Sequence, residues 1–139
     1  MARKRNSKKK VAEPTILPNW QKNFVVGIDD CICVTKISKG ALSARRVSQA
    51  TEVEGASAWI NKQYDEGHNV CFLTTRDEKL RVSTEAWLKL HGFKYHSLIM
   101  NKPKALEYHY IDDRHVQATT FLGKFAPLVK KEHEIQVFS

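Results

Sequence analysis

No stretch of the 139 residues approaches the ~18–20 consecutive apolar residues that a membrane-spanning helix requires. The basic start is followed by VAEPTILPNW in place of an apolar signal core, so neither a span nor a secretory leader is expected. Cysteine is scarce, with three residues in all. Cys31 and Cys33 lie too close along one extended segment to bridge each other without strain, and a disulfide framework is not expected. A protein of the reducing cytoplasm, away from membranes, is the expectation. Neither the cysteines nor the six histidines show metal-ligand spacing or an HExxH-type array, so no zinc centre is expected. Internal repeats are lacking too.

Acidic residues are missing from one place in particular. Residues 1–10 hold six cations, Arg3, Lys4, Arg5, Lys8, Lys9 and Lys10, and no acid. The chain as a whole has 23 Lys+Arg against 15 Asp+Glu, a net +8; setting the six aside leaves 17 against 15, or +2, for the other 129 residues. The body is nearly neutral and the excess charge is a tail. With Pro14 and Pro18 following, residues 1–19 read as an extended basic arm and residues 20–139 as one globular domain. Cations without an apolar face suit a polyanion better than a membrane, which makes RNA or a ribonucleoprotein such as a ribosome the expected partner of Arg3 to Lys10. A basic run also suits a solvated tail or a targeting address. Trp20 reads as a cover for the core edge, with stacking on a base open to it as well, while Trp59 and Trp87 fall in helical patterns and read as core.

Hydrophobic residues make up 42% of the chain, enough for a packed domain. Phe24 to Asp29 is an apolar run that turns polar at its C-terminal end, the pattern of a buried strand delivering side chains to a rim. Val53, Ala56, Ile60 and Tyr64 recur at helical spacing, with Gly67 placed to end the helix. Asn69 to Arg76 predicts a second strand, Ser83 to Leu90 a helix stopped near Gly92, and Ser97 to Met100 and Tyr108 to Asp112 two more strands. Glu134 to Phe138 alternates like an edge strand. Strand and helix alternate, which predicts an α/β fold with a mainly parallel sheet whose ligands bind at the strands' carboxyl ends.

Those ends carry Asp29 and Asp30, the Thr74–Thr75–Arg76 tip, Lys102, and Asp112 and Asp113. Carboxylates beside hydroxyl and ammonium donors suit Mg²⁺ and a phosphate. One Asp–Asp pair alone is commonplace at strand ends and helix N-caps; four such features at successive strand ends carry more weight.

FLTTR, LIMNKP and YIDDR, in this order and spacing from about Phe24 to Ala118, resemble the haloacid dehalogenase superfamily, in particular its small capless phosphatases. The stretches YDEGHNV and GFKYHSLIMNKP are similar to it as well. The resemblance implies a Rossmann-like three-layer sandwich. It makes Thr74 and Lys102 phosphate-binding residues, Asp112 and Asp113 with Asp29 metal ligands, and Asp29 the general acid/base if the site is active. The family's first motif, Asp-x-Asp-Gly-Thr, is altered here: Gly27 stands at the nucleophilic aspartate, Asp30 at the glycine and Cys31 at the threonine. Glycine has no carboxylate to attack phosphorus or to hold Mg²⁺. Strand alternation would point Asp30 away from the face of Gly27 and Asp29, leaving Asp29 about 6.6 Å along the strand. The sequence therefore predicts a phosphatase-like domain without its nucleophile, anchored to RNA by its arm. The rival expectation is a Mg²⁺-dependent phosphohydrolase acting on a nucleotide, a nucleic-acid end or a sugar phosphate.

Overall fold

The structure is a computed structural model and describes residues 20–35, 41–123 and 125. The basic arm, including Arg3, Lys4, Arg5, Lys8, Lys9 and Lys10, and the expected edge strand at 134–138 lie outside the described residues.

The fold is mixed α/β. Strand β1 (Asn23–Val26) pairs in parallel with β4 (Asn69–Leu73), and β4 with β5 (Ser97–Ile99), giving a three-stranded sheet in the order β1-β4-β5. Between β1 and β4 the chain forms β2 (Cys33–Val34), α1 (Ala44–Ser48), β3 (Thr51–Glu52) and α2 (Ala56–Asp65); β2 and β3 pair antiparallel. Between β4 and β5 lie a 3-10 turn (Glu78–Leu80) and α3 (Arg81–Leu90).

Parallel strands need long crossovers, and α2 and α3 supply them. Partners across the sheet share a face, so Phe24, Val26, Val70, Phe72 and Leu98 point one way. The core forms on this face: Val70 and Phe72 are fully buried among Ile60 of α2 and Trp87 and Leu88 of α3. Phe72 meets Phe93 edge-on at 5.9 Å, and Phe93 stacks on Trp87 at 5.6 Å. The opposite face carries Val25 and Ile99, both about half exposed.

Both long helices fall where the apolar periodicity places them, and each ends on a left-handed glycine. Gly67 (φ 94°) donates to the Tyr64 carbonyl and Gly92 (φ 75°) to that of Lys89, each at 3.0 Å. Three expectations need correction. The first strand stops at Val26 instead of reaching Asp29, because the Ile28 carbonyl accepts the N–H groups of Cys31 (3.1 Å) and Ile32 (3.0 Å) and curls the chain into a turn. The second stops at Leu73, short of Arg76.

Tyr108 to Asp112 is not a strand but exposed coil. There Asp112 Oδ2 accepts the Tyr110 hydroxyl at 2.6 Å, and Oδ1 accepts the backbone N–H of Asp113 at 2.6 Å and of Arg114 at 3.3 Å. Such local side-chain bonds compete with a ladder.

Candidate strand-end site

Because β1, β4 and β5 are parallel, their carboxyl ends meet at one edge, where the sequence places its candidate residues. Gly27 to Cys33 forms a compact loop after β1: Asp30 is left-handed (φ 61°) and donates its N–H to the Cys33 carbonyl at 2.9 Å. Short aspartates tolerate that conformation better than most residues. The turn also removes the strand alternation expected of Asp29 and Asp30.

After β4, Thr74 is buried, and its backbone is held on both sides. Its N–H donates to the Ile99 carbonyl at 2.9 Å, and its carbonyl accepts from Lys102 at 2.8 Å. Asn101, left-handed at φ 65°, donates its N–H to the Arg76 carbonyl at 2.8 Å. The tips carrying Thr74 and Lys102 are thus locked together. The Thr74 hydroxyl oxygen accepts the Arg76 N–H at 3.1 Å, so the side chain braces its own loop.

Arg76 decides the electrostatics. Its side chain is only 2% exposed and grips Asp29 in a two-pronged pair, Nη2 to Oδ1 at 2.8 Å and Nε to Oδ2 at 3.1 Å. Nη1 donates to the buried Thr84 hydroxyl of α3 at 2.9 Å, and Nη2 also approaches Cys33 Sγ at 3.6 Å. A planar fork matched to a carboxylate is the strongest common geometry for such a pair. Both Asp29 oxygens are engaged. Cys33, buried beside the pair, has its thiol pushed up to about 12, chiefly by desolvation.

Gly27 leaves a specific gap in the chemistry and none in the packing. A Cβ at this position would lie 3.1 Å from Cys31 Sγ, tighter than ordinary contact. A side chain at 27 would require the Cys31 sulfur to give way by a few tenths of an ångström. Burial raises this thiol, while the positive charge of Lys102 acts in the opposite sense. The Lys102 ammonium sits 3.8 Å over the centre of the Tyr108 ring, a cation–π contact.

Asp112 and Asp113 do not join this group. Their hydrogen bonds stay within residues 110–114, and the Tyr110 hydroxyl first, then Asp113, holds the Asp112 carboxyl down at about 2. Among the described residues no three His, Cys, Asp or Glu side chains stand close enough to hold a metal. With Gly27 offering no donor and Asp29 occupied by Arg76, the residues present do not fit Mg²⁺.

Arg76, Cys31 and Thr84 are the members of this site that sequence reasoning left without a role. The signal for Arg76 was a cation at a strand tip facing an acidic pair at another tip. Comparison with family models, with curated proteins and with solved structures finds no match to this chain.

Proposed function

We propose that this chain is a haloacid dehalogenase-like domain without phosphatase chemistry, serving as an RNA-associated or ribonucleoprotein component held by its basic arm. The observation that carries the reading is the state of the two first-motif positions: residue 27 has no side chain, and both oxygens of Asp29 accept from Arg76. In-line phosphoryl transfer needs a free carboxylate at the first and a proton-carrying carboxyl at the second. A buried guanidinium now takes the place that a cation would have beside Asp29. On this reading the sheet belongs to a Rossmann-like three-layer sandwich.

The rival reading, a Mg²⁺-dependent phosphohydrolase, draws support from one feature: Lys102 and Thr74 share a backbone hydrogen bond at the strand ends. Phosphate release from p-nitrophenyl phosphate with Mg²⁺ separates the two. The wild type is expected to release nothing above buffer. Gly27→Asp restores the missing carboxylate but leaves both Asp29 oxygens on Arg76, so this variant is expected to stay inactive, and turnover in it would show that Gly27 alone silences the site. Wild-type turnover that disappears in Asp29→Asn would overturn the proposal.

A further inference from the structure

Helix α3 turns only part of its circumference to the core. Thr84, Trp87 and Leu88 are buried, while Val82, Glu85, Ala86, Lys89 and Leu90 lie open. Val82 is 78% and Leu90 79% exposed, more than any other large apolar side chain in a helix or strand among the described residues. Apolar residues scattered singly over a surface are ordinary. These two are not scattered. Val82, Ala86 and Leu90 follow one another at four-residue steps, which brings them onto one face of the helix with the smallest side chain in the middle.

Charge flanks this stripe on one side. Glu85 and Lys89 stand a turn apart along it. Glu85 approaches Arg81 at 3.7 Å, but Arg81 is held more closely by Glu78 at 2.7 Å. Lys89 has no ion-pair partner among the described residues.

The face is complementary to itself. A two-fold axis through Ala86 sets a second α3 antiparallel to the first, and each contact is then made twice. Val82 and Leu90 lie about 6 Å from Ala86 in opposite directions along the helix, so Val82 of one copy falls beside Leu90 of the other. Glu85 lies about 1.5 Å before the axis and Lys89 about 4.5 Å beyond it, which leaves Glu85 of one copy about 3 Å along the helix from Lys89 of the other. Ala86 at the axis lets the two backbones approach. Both apolar residues gain cover, and Lys89 gains the carboxylate it lacks.

We propose that this face of α3 is a contact between two copies of the chain, an antiparallel α3–α3 pair centred on Ala86. A ten-residue helix is about 15 Å long, too short to supply by itself the ~800 Å² per partner of a stable interface. The dimer is therefore weak and concentration-dependent. It does not depend on the RNA-associated reading. Thr84, which accepts from Arg76, lies on the buried side of α3, so substitutions on the stripe leave the Asp29–Arg76 pair alone.

The test is sedimentation velocity of the full chain from about 10 µM to about 1 mM, where the wild type is expected to pass from monomer towards dimer. Val82→Ser with Leu90→Ser should weaken association by about ten-fold or more. Glu85→Lys and Lys89→Glu each set like charges across both pairs and should also weaken it by about ten-fold or more. An equimolar mixture of these two charge variants restores opposite charges at both pairs and should associate at least as strongly as the wild type. Melting curves establish that each variant remains folded. A wild type that stays monomeric at about 1 mM would overturn the proposal and leave the face to a different partner or to solvent. A dimer unchanged by Val82→Ser with Leu90→Ser would place the contact on another surface. Charge variants that fail to recover on mixing would rule out the antiparallel register, and either result overturns the proposal as well.

Discussion

The guanidinium of Arg76 reaches three segments at once: Asp29 in the loop after β1, Cys33 at the start of β2 and Thr84 in α3. With 2% of its side chain exposed against 30% for Asp29, the cation is the more deeply buried partner. Removing the carboxylate would strand a buried charge, a far larger penalty than the net worth of the pair. Asp29→Ala is accordingly expected to lower stability by ~3–5 kcal/mol. Asp29→Ala with Arg76→Met, which removes both charges, should recover ~2 kcal/mol or more of that loss. Urea unfolding of both variants measures the difference, and a loss below about 1 kcal/mol in Asp29→Ala would mean that water, not Asp29, satisfies Arg76. Hydrophobic runs mark Thr74 and Lys102 as lying near strand ends, and the pairing of β4 with β5 is what makes those ends neighbours. The sequence could not show the pairing of Asp29 with Arg76, since that pairing depends on the chain turning at Ile28 and not on any periodic pattern.

Among the elements, legibility followed the apolar pattern, since the three-residue β5 was expected and the five-residue α1 was not. Helices of ten residues such as α2 and α3 repeat an apolar face often enough to be read, and β4 announces itself as a buried run. Strands β2 and β3, two residues each, are too short to carry a period. They form because the Ile32 carbonyl accepts the Val53 N–H at 2.9 Å while Ile32 and Cys33 are completely buried. The five-residue α1 has one buried residue, Val47, and a Ser43 cap whose hydroxyl oxygen accepts from Arg46 at 3.3 Å.

Glu52 of β3 ties these pieces to the long helices. α2 begins at the left-handed Gly55 with no side-chain cap of its own, and Glu52 Oε2 instead accepts from the Ser57 N–H at 3.1 Å and its hydroxyl at 2.7 Å. Oε1 stands 3.2 Å from His91 Nδ1 just past α3. A carboxylate at a helix start satisfies an orphan donor and opposes the macrodipole. Glu52→Ala should therefore cost ~1–2 kcal/mol in urea unfolding. Glu52→Gln, which keeps an acceptor but loses the charge, should fall between that variant and the wild type. Equal stability of all three would remove Glu52 from this role.

At the scale of the whole molecule, charge and fold are separable. No helix among the described residues is long and apolar enough to cross a membrane, and the described residues of the core that joins α2, α3 and the sheet run from Val26 to Phe125. The chain's net +8 includes six cations between Arg3 and Lys10, all upstream of that core, so deleting residues 2–10 should leave the melting temperature unchanged. The same deletion should act strongly on RNA. Each phosphate neutralised on a single strand contributes about 0.7 to the slope of log affinity against log salt, so six contacts would give roughly −4. The truncated chain should lose most of that slope, keeping only what Lys22 and the scattered surface cations provide. If affinity and slope survive the deletion, the body itself binds RNA, and the near-neutral balance of its 17 cations and 15 acids would have to conceal a one-sided arrangement. If the melting temperature falls instead, the arm packs on the domain, and its six positive charges would need acidic partners on that surface.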